Sequence, residues 1–217
     1  MPPIRFPHPR FATPEGIVAL GGALSEENLL EAYSRGIFPW PIEGLPLTWF
    51  SPPWRAILEF ERVHIPRSLV RARKNSTLRF TIDQAFESVI RACSKVERAH
   101  EKGTWINPEI IRAYCGLHAR GTAHSVEAWE GETLVGGVYG IDAGGVFGGE
   151  SMFHLQPNAS KLALLFLVDH LRSRGAEWMD IQVMSPHMEA LGAIEISRGL
   201  FLRKLADGQA RALKLFG

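Results

Sequence analysis

Three short strand-like runs in the middle of the sequence limit the possible folds more than any other feature. The runs cover residues 124–130, 133–141 and 146–153. Between them stand Glu130-Gly-Glu and Asp142-Ala-Gly-Gly, and glycine-containing turns of this kind join neighbouring antiparallel strands. The pattern therefore predicts an antiparallel meander.

The segment that follows the meander predicts a helix, a strand and a second helix. Asn158-Ala-Ser-Lys opens a nearly all-apolar helix, residues 162–171, and a helix that is apolar on every side must be buried. Residues 179–183 form a predicted strand and residues 186–191 a short helix. This order predicts an α/β (α+β) fold with a mixed sheet, similar to the acetyltransferase-like (GNAT-like) architecture.

The first 61 residues differ from the rest in being dense in proline and glycine. They contain one good helical pattern, which Ser25 caps and Gly36 ends. A segment this short needs other residues to complete its core. We therefore expect a small N-terminal subdomain, residues 1–61, packed on an acetyltransferase-like catalytic domain, residues 62–217.

Two further helices are predicted between these regions. Asp83 is expected to cap a helix that buries Phe86, Val89, Ile90 and Cys93. Asn107-Pro108 is expected to begin another, because asparagine is a good cap and proline suits the first helical position. That helix should end at Gly121.

Charge and composition narrow the classes of function. The 217 residues carry a formal net charge of +1, so no global field marks a nucleic-acid binder. Any RNA contact must therefore come from a local basic run. The candidate run consists of Arg62, Arg67, Arg71, Arg73, Lys74 and Arg79. An ordinary solvated helix face explains the same run. The two cysteines are widely spaced, and no secretion signal or long apolar stretch occurs, which favours a cytoplasmic protein without a membrane span.

Polar residues among apolar neighbours mark a candidate site. Glu150 follows Gly148-Gly149 at the end of the third meander strand, where an unpaired charge is costly. Asp180 and Gln182 fall on one face of the next strand, and alternation turns Met179 away from Asp180. A cleft explains both observations. Alternatively, Glu150 faces water at a strand end, and Asp180 and Gln182 lie on an exposed edge strand.

Aromatic residues in turn-rich segments are a second candidate feature. They either fill the gap between the two parts or stack on nucleobases; the set is Trp40, Trp49, Phe50, Trp54 and Trp105. The eight histidines show no metal-ligand spacing, and no nucleophile elbow or phosphate loop occurs. We therefore expect neither a metal nor a cofactor.

Several motifs occur together in a specific order. They are Gly16-Ile-Val-Ala-Leu-Gly-Gly-Ala-Leu-Ser, Leu29-Leu-Glu-Ala-Tyr-Ser-Arg-Gly-Ile-Phe-Pro-Trp, Trp49-Phe-Ser-Pro-Pro-Trp-Arg, His64-Ile-Pro-Arg-Ser, Gly103-Thr-Trp-Ile, Ala123-His-Ser-Val-Glu, Leu134-Val-Gly-Gly-Val-Tyr-Gly, Gly149-Glu-Ser-Met-Phe, Asn158-Ala-Ser-Lys, Asp180-Ile-Gln and Leu191-Gly-Ala. From about residue 6 to 203 the chain resembles the bacterial leucyl/phenylalanyl-tRNA–protein transferases.

The resemblance implies an activity and its partners. Leucine or phenylalanine would pass from its tRNA to the N-terminal amino group of proteins that begin with arginine or lysine, and the product would enter N-degron protein degradation. It also implies an aminoacyltransferase with a small N-terminal domain and an acetyltransferase-like domain. A monomer is the expected state, since no coiled coil or exposed apolar stripe is evident.

The resemblance also implies residue roles. Asp180 and Gln182 match the catalytic pair, and Glu150 matches the active-site glutamate. Trp49 and Trp105 match residues that hold the aminoacyl-adenosine end. The implied side-chain pocket is formed by Val138, Met152, Leu164, Leu167, Leu171 and Met179. The basic residues from Arg62 to Lys74 are the candidate contact to tRNA phosphates.

Two rival functions share this scaffold. An acetyl-coenzyme A enzyme would need a glycine-rich pyrophosphate loop at the start of a helix, but the sequence there is Gln156-Pro-Asn-Ala-Ser-Lys. Pro157 lacks the backbone donor that such a loop uses. A non-catalytic module that binds tRNA or a peptide is the other rival.

Overall fold

The computed structural model describes residues 4–42, 44–96 and 105–217. The strands in these ranges are β1 (Ile17–Leu20), β2 (Phe38–Pro39), β3 (Thr48–Phe50), β4 (Trp54–Glu59), β5 (Arg79–Ile82), β6 (Ala123–Glu130), β7 (Thr133–Asp142), β8 (Phe147–His154), β9 (Trp178–Gln182) and β10 (Ile194–Ser197). The helices are α1 (Glu26–Ser34), α2 (Arg67–Asn75), α3 (Phe86–Cys93), α4 (Pro108–Ala119), α5 (Ala159–Ser173), α6 (Pro186–Ala190) and α7 (Arg198–Ala210).

The strands form two sheets. The large sheet has the order β10-β4-β9-β8-β7-β6-β5, and the small one has the order β1-β3-β2. All neighbours in the large sheet are antiparallel except β8 and β9, which are parallel. The predicted α/β fold, with a mixed sheet and a small N-terminal part, is confirmed.

Helices cover both faces of the large sheet. On one face α5 lies against β6 and β7, and its Leu164 and Leu167 are almost fully buried. This explains why α5 is apolar all round. The close approach depends on Gly136, since a Cβ there would lie 2.6 Å from the Cβ of Ala159. On the other face α3 and α4 cover the sheet and pack with α1.

The predicted caps of the helices have two different outcomes. Ser25 and Asn107 cap α1 and α4 as expected, each accepting a backbone N–H bond. The prediction for Asp83 is wrong. The carboxylate of Glu127, on β6, accepts the backbone N–H bonds that precede α3, while Asp83 accepts a bond from the backbone N–H of Ser125. No described side chain caps α3 itself, and the contacts of Asp83 and Glu127 join residues that are distant in sequence.

Strand β4 crosses from the first part of the chain into the large sheet. It pairs with β9 on one side and β10 on the other, so residues 54–59 are central to that sheet. The boundary between the N-terminal subdomain and the catalytic domain after residue 61 stays a prediction. Strand β10 and helix α7, which the sequence patterns did not indicate, complete this edge of the sheet.

The large sheet opens between β8 and β9. The two parallel strands are in register only where Gly148 faces Asp180. Beyond that position, residues of both strands line one cavity. A crevice beside the carboxyl ends of neighbouring parallel strands is a common place for a ligand site in an α/β fold.

Candidate functional site

The cavity between β8 and β9 has a volume of about 380 Å³. It is bounded by the N-terminal part at β2, by the meander, and by the segment from β9 into α6. Its lining residues are Phe38, Pro39, Trp40, Trp105, Val138, Gly149, Glu150, Ser151, Met152, Leu164, Met179, Ile181, Gln182, Val183, Met184, Ser185 and Met188. Within this described lining Glu150 is the only acidic or basic residue, so the cavity is apolar with one titratable group.

A β-bulge places Glu150 in the cavity. Tyr139 pairs with Ser151 and Gly140 pairs with Gly149, so Glu150 is the extra residue of β8 and has no partner across the ladder. A bulge of this kind re-aims one side chain without ending the strand. The glutamate therefore turns towards β9 and the N-terminal part.

A second irregularity places Gln182 beside it. Gln182 pairs with Ala56 and Asp180 with Ile57, so Ile181 is the extra residue on β9. Gln182 itself has a φ of 58°. A non-glycine residue in this left-handed region costs on the order of 1–3 kcal/mol and persists only where its surroundings hold it.

Glu150 and Gln182 are joined directly. The Gln182 amide donates from Nε2 to Glu150 Oε1 at 2.6 Å. The oxygen of the same amide is therefore the atom of this side chain that can accept a hydrogen bond from a substrate. Two buried tyrosines complete the shell, because Tyr33 donates to Oε1 at 2.8 Å and Tyr114 to Oε2 at 3.2 Å. The two tyrosine hydroxyls also contact each other.

Burial has the largest effect on the pKa of Glu150. It raises the pKa of Glu150 from its ordinary value of 4.5 to about 7; the hydrogen bonds from Tyr33, Gln182 and Tyr114 lower it, and the charge of Asp180 raises it further. Burial, followed by the charge of Glu150, raises the pKa of both tyrosines well above 10. The tyrosines therefore remain neutral donors, whereas Glu150 titrates near neutral pH.

Asp180 lies behind Gln182 and is paired with Arg55. The guanidinium donates from Nε to Oδ1 at 2.8 Å and from Nη2 to Oδ2 at 2.6 Å. Asp180 also accepts the backbone N–H of Gln182 at 2.9 Å. Arg55 is 1% exposed and lies between the rings of Phe38 and Phe201, at 4.6 and 4.4 Å from their centroids. The pair therefore fixes the unusual backbone of Gln182.

Four of the predicted pocket residues lie together in the cavity. They are Val138, Met152, Leu164 and Met179. Val138 and Met152 face each other across β7 and β8. Met179 does turn away from the Asp180 carboxylate, as alternation predicts, yet it still lines the cavity, and Trp105 lies at the cavity as expected. Part of the Trp105 motif, residues 103 and 104, falls outside the described residues.

Three other predicted binding residues do not line the cavity. Leu167 and Leu171 pack in the core along α5, at 1% and 0% exposure. Trp49 is fully buried beside Phe6, and its indole N–H donates to the carbonyl of Gly21 at 3.0 Å. Their roles in binding stay predictions; the observed contacts are those of core residues.

The predicted tRNA-binding residues lie on an exposed, basic surface. Helix α2 buries only Leu69. Arg67, Arg71 and Lys74 share one face at helical spacing, and none of the three forms an ion pair with a residue in the described ranges. Arg73 pairs with Asp169, Arg62 with Glu59 at 3.7 Å, and Arg79 lies over the ring of Trp129.

Several site residues had no assigned role at the level of sequence. Tyr33 and Tyr114 were expected in the apolar stripes of their helices; both are buried, but their hydroxyls reach Glu150. Arg55 was part of a motif without a function. Its signal was a charge directly before the apolar run Ala56-Ile-Leu, since a buried charge requires a partner.

Metal sites and membrane spans were both sought in the described part of the chain. Among those residues, no three histidine, cysteine, aspartate or glutamate side chains cluster as metal ligands. In the same ranges, no helix combines the length and apolar character that crossing a bilayer would require.

Comparisons with known proteins match almost the whole chain. The family model described as leucyl/phenylalanyl-tRNA protein transferase matches residues 57–206, and the model of its N-terminal domain matches residues 22–53. A leucyl/phenylalanyl-tRNA–protein transferase of Anaeromyxobacter dehalogenans is 48% identical over 201 residues, 93% of this chain and 86% of the relative. The enzyme of Yersinia enterocolitica is 48% identical over 206 residues, 94% of this chain and 86% of the relative.

One solved structure overlaps weakly. It is a functionally unknown conserved protein from Staphylococcus epidermidis, with a TM-score of 0.44 and 9% identity, covering 66% of this chain and 57% of that one.

The fold, the cavity and the curated relatives define the class of protein, an aminoacyltransferase. More particularly, the chain belongs to the leucyl/phenylalanyl-tRNA–protein transferase family.

Proposed function

We propose that this enzyme transfers leucine or phenylalanine from aminoacyl-tRNA to the N-terminal amino group of proteins that begin with arginine or lysine. The observation that carries the proposal is one cavity in which an apolar lining meets the hydrogen-bonded pair of Glu150 and Gln182. The lining suits a large apolar side chain, and the polar pair suits an attacking amine.

The reaction is acyl transfer from an ester to an amine. The amine nitrogen attacks the ester carbonyl carbon, a peptide bond forms, and the bond to the terminal ribose oxygen of tRNA breaks. That oxygen leaves as a hydroxyl group and takes one proton. Because the ester is already activated, the enzyme needs no covalent intermediate, and positioning supplies much of the rate.

The amine must lose a proton before it attacks. The reference pKa of an α-amino group is about 7.7–8.0, so the group is mostly protonated at pH 7. In our proposal the amide oxygen of Gln182 accepts a hydrogen bond from the amine, and the Glu150 carboxylate anchors it and receives its proton. A pKa of about 7 for Glu150 is close enough to that of the amine for this transfer.

Asp180 would act through Gln182 rather than on the substrate. Its carboxylate holds the backbone of Gln182 and is itself held by Arg55. The amide is then oriented before the substrate arrives, which avoids reorganisation during the reaction.

The basic face of α2, formed by Arg67, Arg71 and Lys74, is the proposed contact to tRNA phosphates. Reversing these three charges should weaken tRNA binding and make the affinity less dependent on salt. The slope of log affinity against log salt should become shallower by about 0.7–0.9 for each phosphate that the variant no longer binds. Arg91 serves as control because it is an exposed arginine already paired with Glu87 on α3. An equal effect of reversing Arg91 would contradict the assignment.

A basic acceptor residue and a role in N-degron degradation complete the proposal, with the cytoplasm as the site of action. The family membership supports the preference for a basic N-terminal residue. The test mixes the purified enzyme with leucyl- or phenylalanyl-tRNA and a peptide that begins with arginine. We expect transfer to this peptide and none to a matched peptide that begins with methionine; no transfer to either would contradict the function.

A further inference from the structure

The methionines of this chain are unusually placed. The sequence has five, and four of them line the cavity: Met152, Met179, Met184 and Met188. The rest of the apolar lining consists of stiffer residues, among them Val138, Ile181 and the rings of Phe38 and Trp105. The flexible residues are therefore concentrated at one site.

Two of the four methionines have their backbones held in the large sheet. Met179 is 1% exposed, and a Cβ placed on Gly149 would lie 2.9 Å from its terminal methyl group, so this end rests on the β8 backbone. Met152 stands in the ladder opposite Val138. Both extend from strands of the large sheet.

The other two methionines extend from a short segment beyond β9. Met184 lies between β9 and α6 and is half-buried, while Met188 lies within the five-residue helix α6 and is 8% exposed. Hydrogen bonds hold the backbone of this segment, from the Met188 N–H to Ser185 Oγ at 3.3 Å and from the Ala193 N–H to the Met188 carbonyl at 3.0 Å. Each side chain has three rotatable bonds, and the half-buried Met184 is less tightly enclosed than Met188.

We propose that Met184 and Met188 form an adjustable wall that lets one cavity accept both a branched aliphatic and an aromatic aminoacyl side chain. This inference rests on the proposed function and names the residues that determine its breadth. Methionine is unbranched, has three rotatable side-chain bonds and carries a polarizable sulfur that contacts ring edges favourably. The wall closes on leucine and retracts for the larger, planar ring of phenylalanine.

The stiff walls explain why this freedom is needed. Val138 and Ile181 are branched at Cβ and keep few rotamers, and Leu164 is held in the packed face of α5. A cavity made only of such residues has one shape, because a close-packed core resists rearrangement. Two adjustable side chains accommodate the difference between the substrates at lower cost.

The experiment makes the side chains at positions 184 and 188 stiffer but keeps them apolar. In the double variant Met184→Ile, Met188→Ile, kcat/KM is measured separately for leucyl- and phenylalanyl-tRNA with an arginine-starting peptide. We expect the phenylalanine value to fall about tenfold more than the leucine value, because a stiff wall cannot retract. The matched control is Leu165→Ile, a stiffening change in the core on α5 at a residue that does not line the cavity, and it should leave the donor ratio unchanged.

A second measurement separates flexibility from sulfur chemistry. Replacing methionine globally by norleucine alters the cavity and no other described part of the chain, and it keeps an unbranched side chain. The norleucine protein should retain the wild-type ratio of the two donors. If the double variant fails to fold, Met184→Ile and Met188→Ile are measured singly, and a donor ratio that neither of them changes overturns the proposal.

Two other results would overturn the proposal: an unchanged donor ratio in a folded double variant, or a norleucine protein that discriminates like the isoleucine variant. Failure of the proposed function has a different signature. In that case the wild-type enzyme itself transfers neither leucine nor phenylalanine, and no ratio exists to compare.

Discussion

The two ends of the cavity are built on opposite principles. At the polar end, Glu150, Gln182 and Asp180 are held by a continuous set of hydrogen bonds and by the ion pair to Arg55. At the apolar end, side chains meet only through van der Waals contact, and four of them are methionines. Under the proposed function, the groups that would carry the chemistry are held by hydrogen bonds, whereas the groups that would contact the transferred side chain are held by packing alone.

The largest effect should come from breaking the ion pair at the polar end. Asp180→Asn leaves the buried Arg55 without a full counter-charge, so we expect a loss of about 3–5 kcal/mol in the free energy of unfolding and roughly 10²–10³-fold in kcat. Chemical denaturation and single-turnover transfer measure the two effects.

An apolar replacement of the whole pair makes the comparison sharper. In Arg55→Met, Asp180→Leu no unpaired charge remains, and most of the stability should return. Activity should not return, because Gln182 lacks its backbone anchor. Recovery of full activity would show that the pair is only structural.

Glu150→Gln tests the titration of the polar end. Between pH 4.5 and about 7 the folded wild type keeps a proton on Glu150 that the unfolded chain releases, so its stability falls as pH rises through this window. The variant lacks this pH dependence. Across the window, the free energy of unfolding of the wild type changes by at most roughly 3 kcal/mol from this group. Thermal unfolding at pH 4.5 and pH 8 checks it; parallel curves for both proteins would contradict the assigned pKa. Transfer should fall about 10²-fold.

Tyr33→Phe and Tyr114→Phe probe the shell around Glu150. Each removes a hydrogen bond that lowers the pKa of this carboxyl group. The pKa should rise, and the acid limb of the pH profile of kcat/KM should move to higher pH with a several-fold loss at pH 7. Tyr139→Phe is the matched control, since Tyr139 is also buried and touches Tyr114 edge-on. A profile that moves equally in the control argues against a specific effect.

The smallest effect is expected at the apolar end. Gly149→Ala pushes the methyl group of Met179 into the cavity, and this flexible end can shift without backbone movement. We expect a several-fold loss in kcat/KM with phenylalanyl-tRNA, a smaller loss with leucyl-tRNA, and less than about 1 kcal/mol of stability. Equal losses with both donors would indicate a disturbance of Glu150 instead.

Much of the fold follows from local patterns. The meander, the buried helix α5, the strand β9 and the caps Ser25 and Asn107 all form as predicted. In each case the signal lies within a few residues: turn glycines, apolar periodicity or a capping side chain. The exceptions, the bond of Asp83 to Ser125 in place of a cap on α3 and the pairing of β10 with β4, are contacts between distant residues.

The same distinction between local patterns and distant contacts applies to the candidate site. The sequence alone determined which residues are the candidates for the chemistry, because Glu150, Asp180 and Gln182 are polar in apolar surroundings and stand in a specific series of motifs. Only the tertiary structure decided how they meet. The extra residues in β8 and β9 break the two-residue period, and ladder pairing reveals such a bulge where composition does not. Arg55 and the two tyrosines join the site for the same reason: a buried charge or hydroxyl must be paired, but its partner is chosen by packing rather than by proximity in the chain.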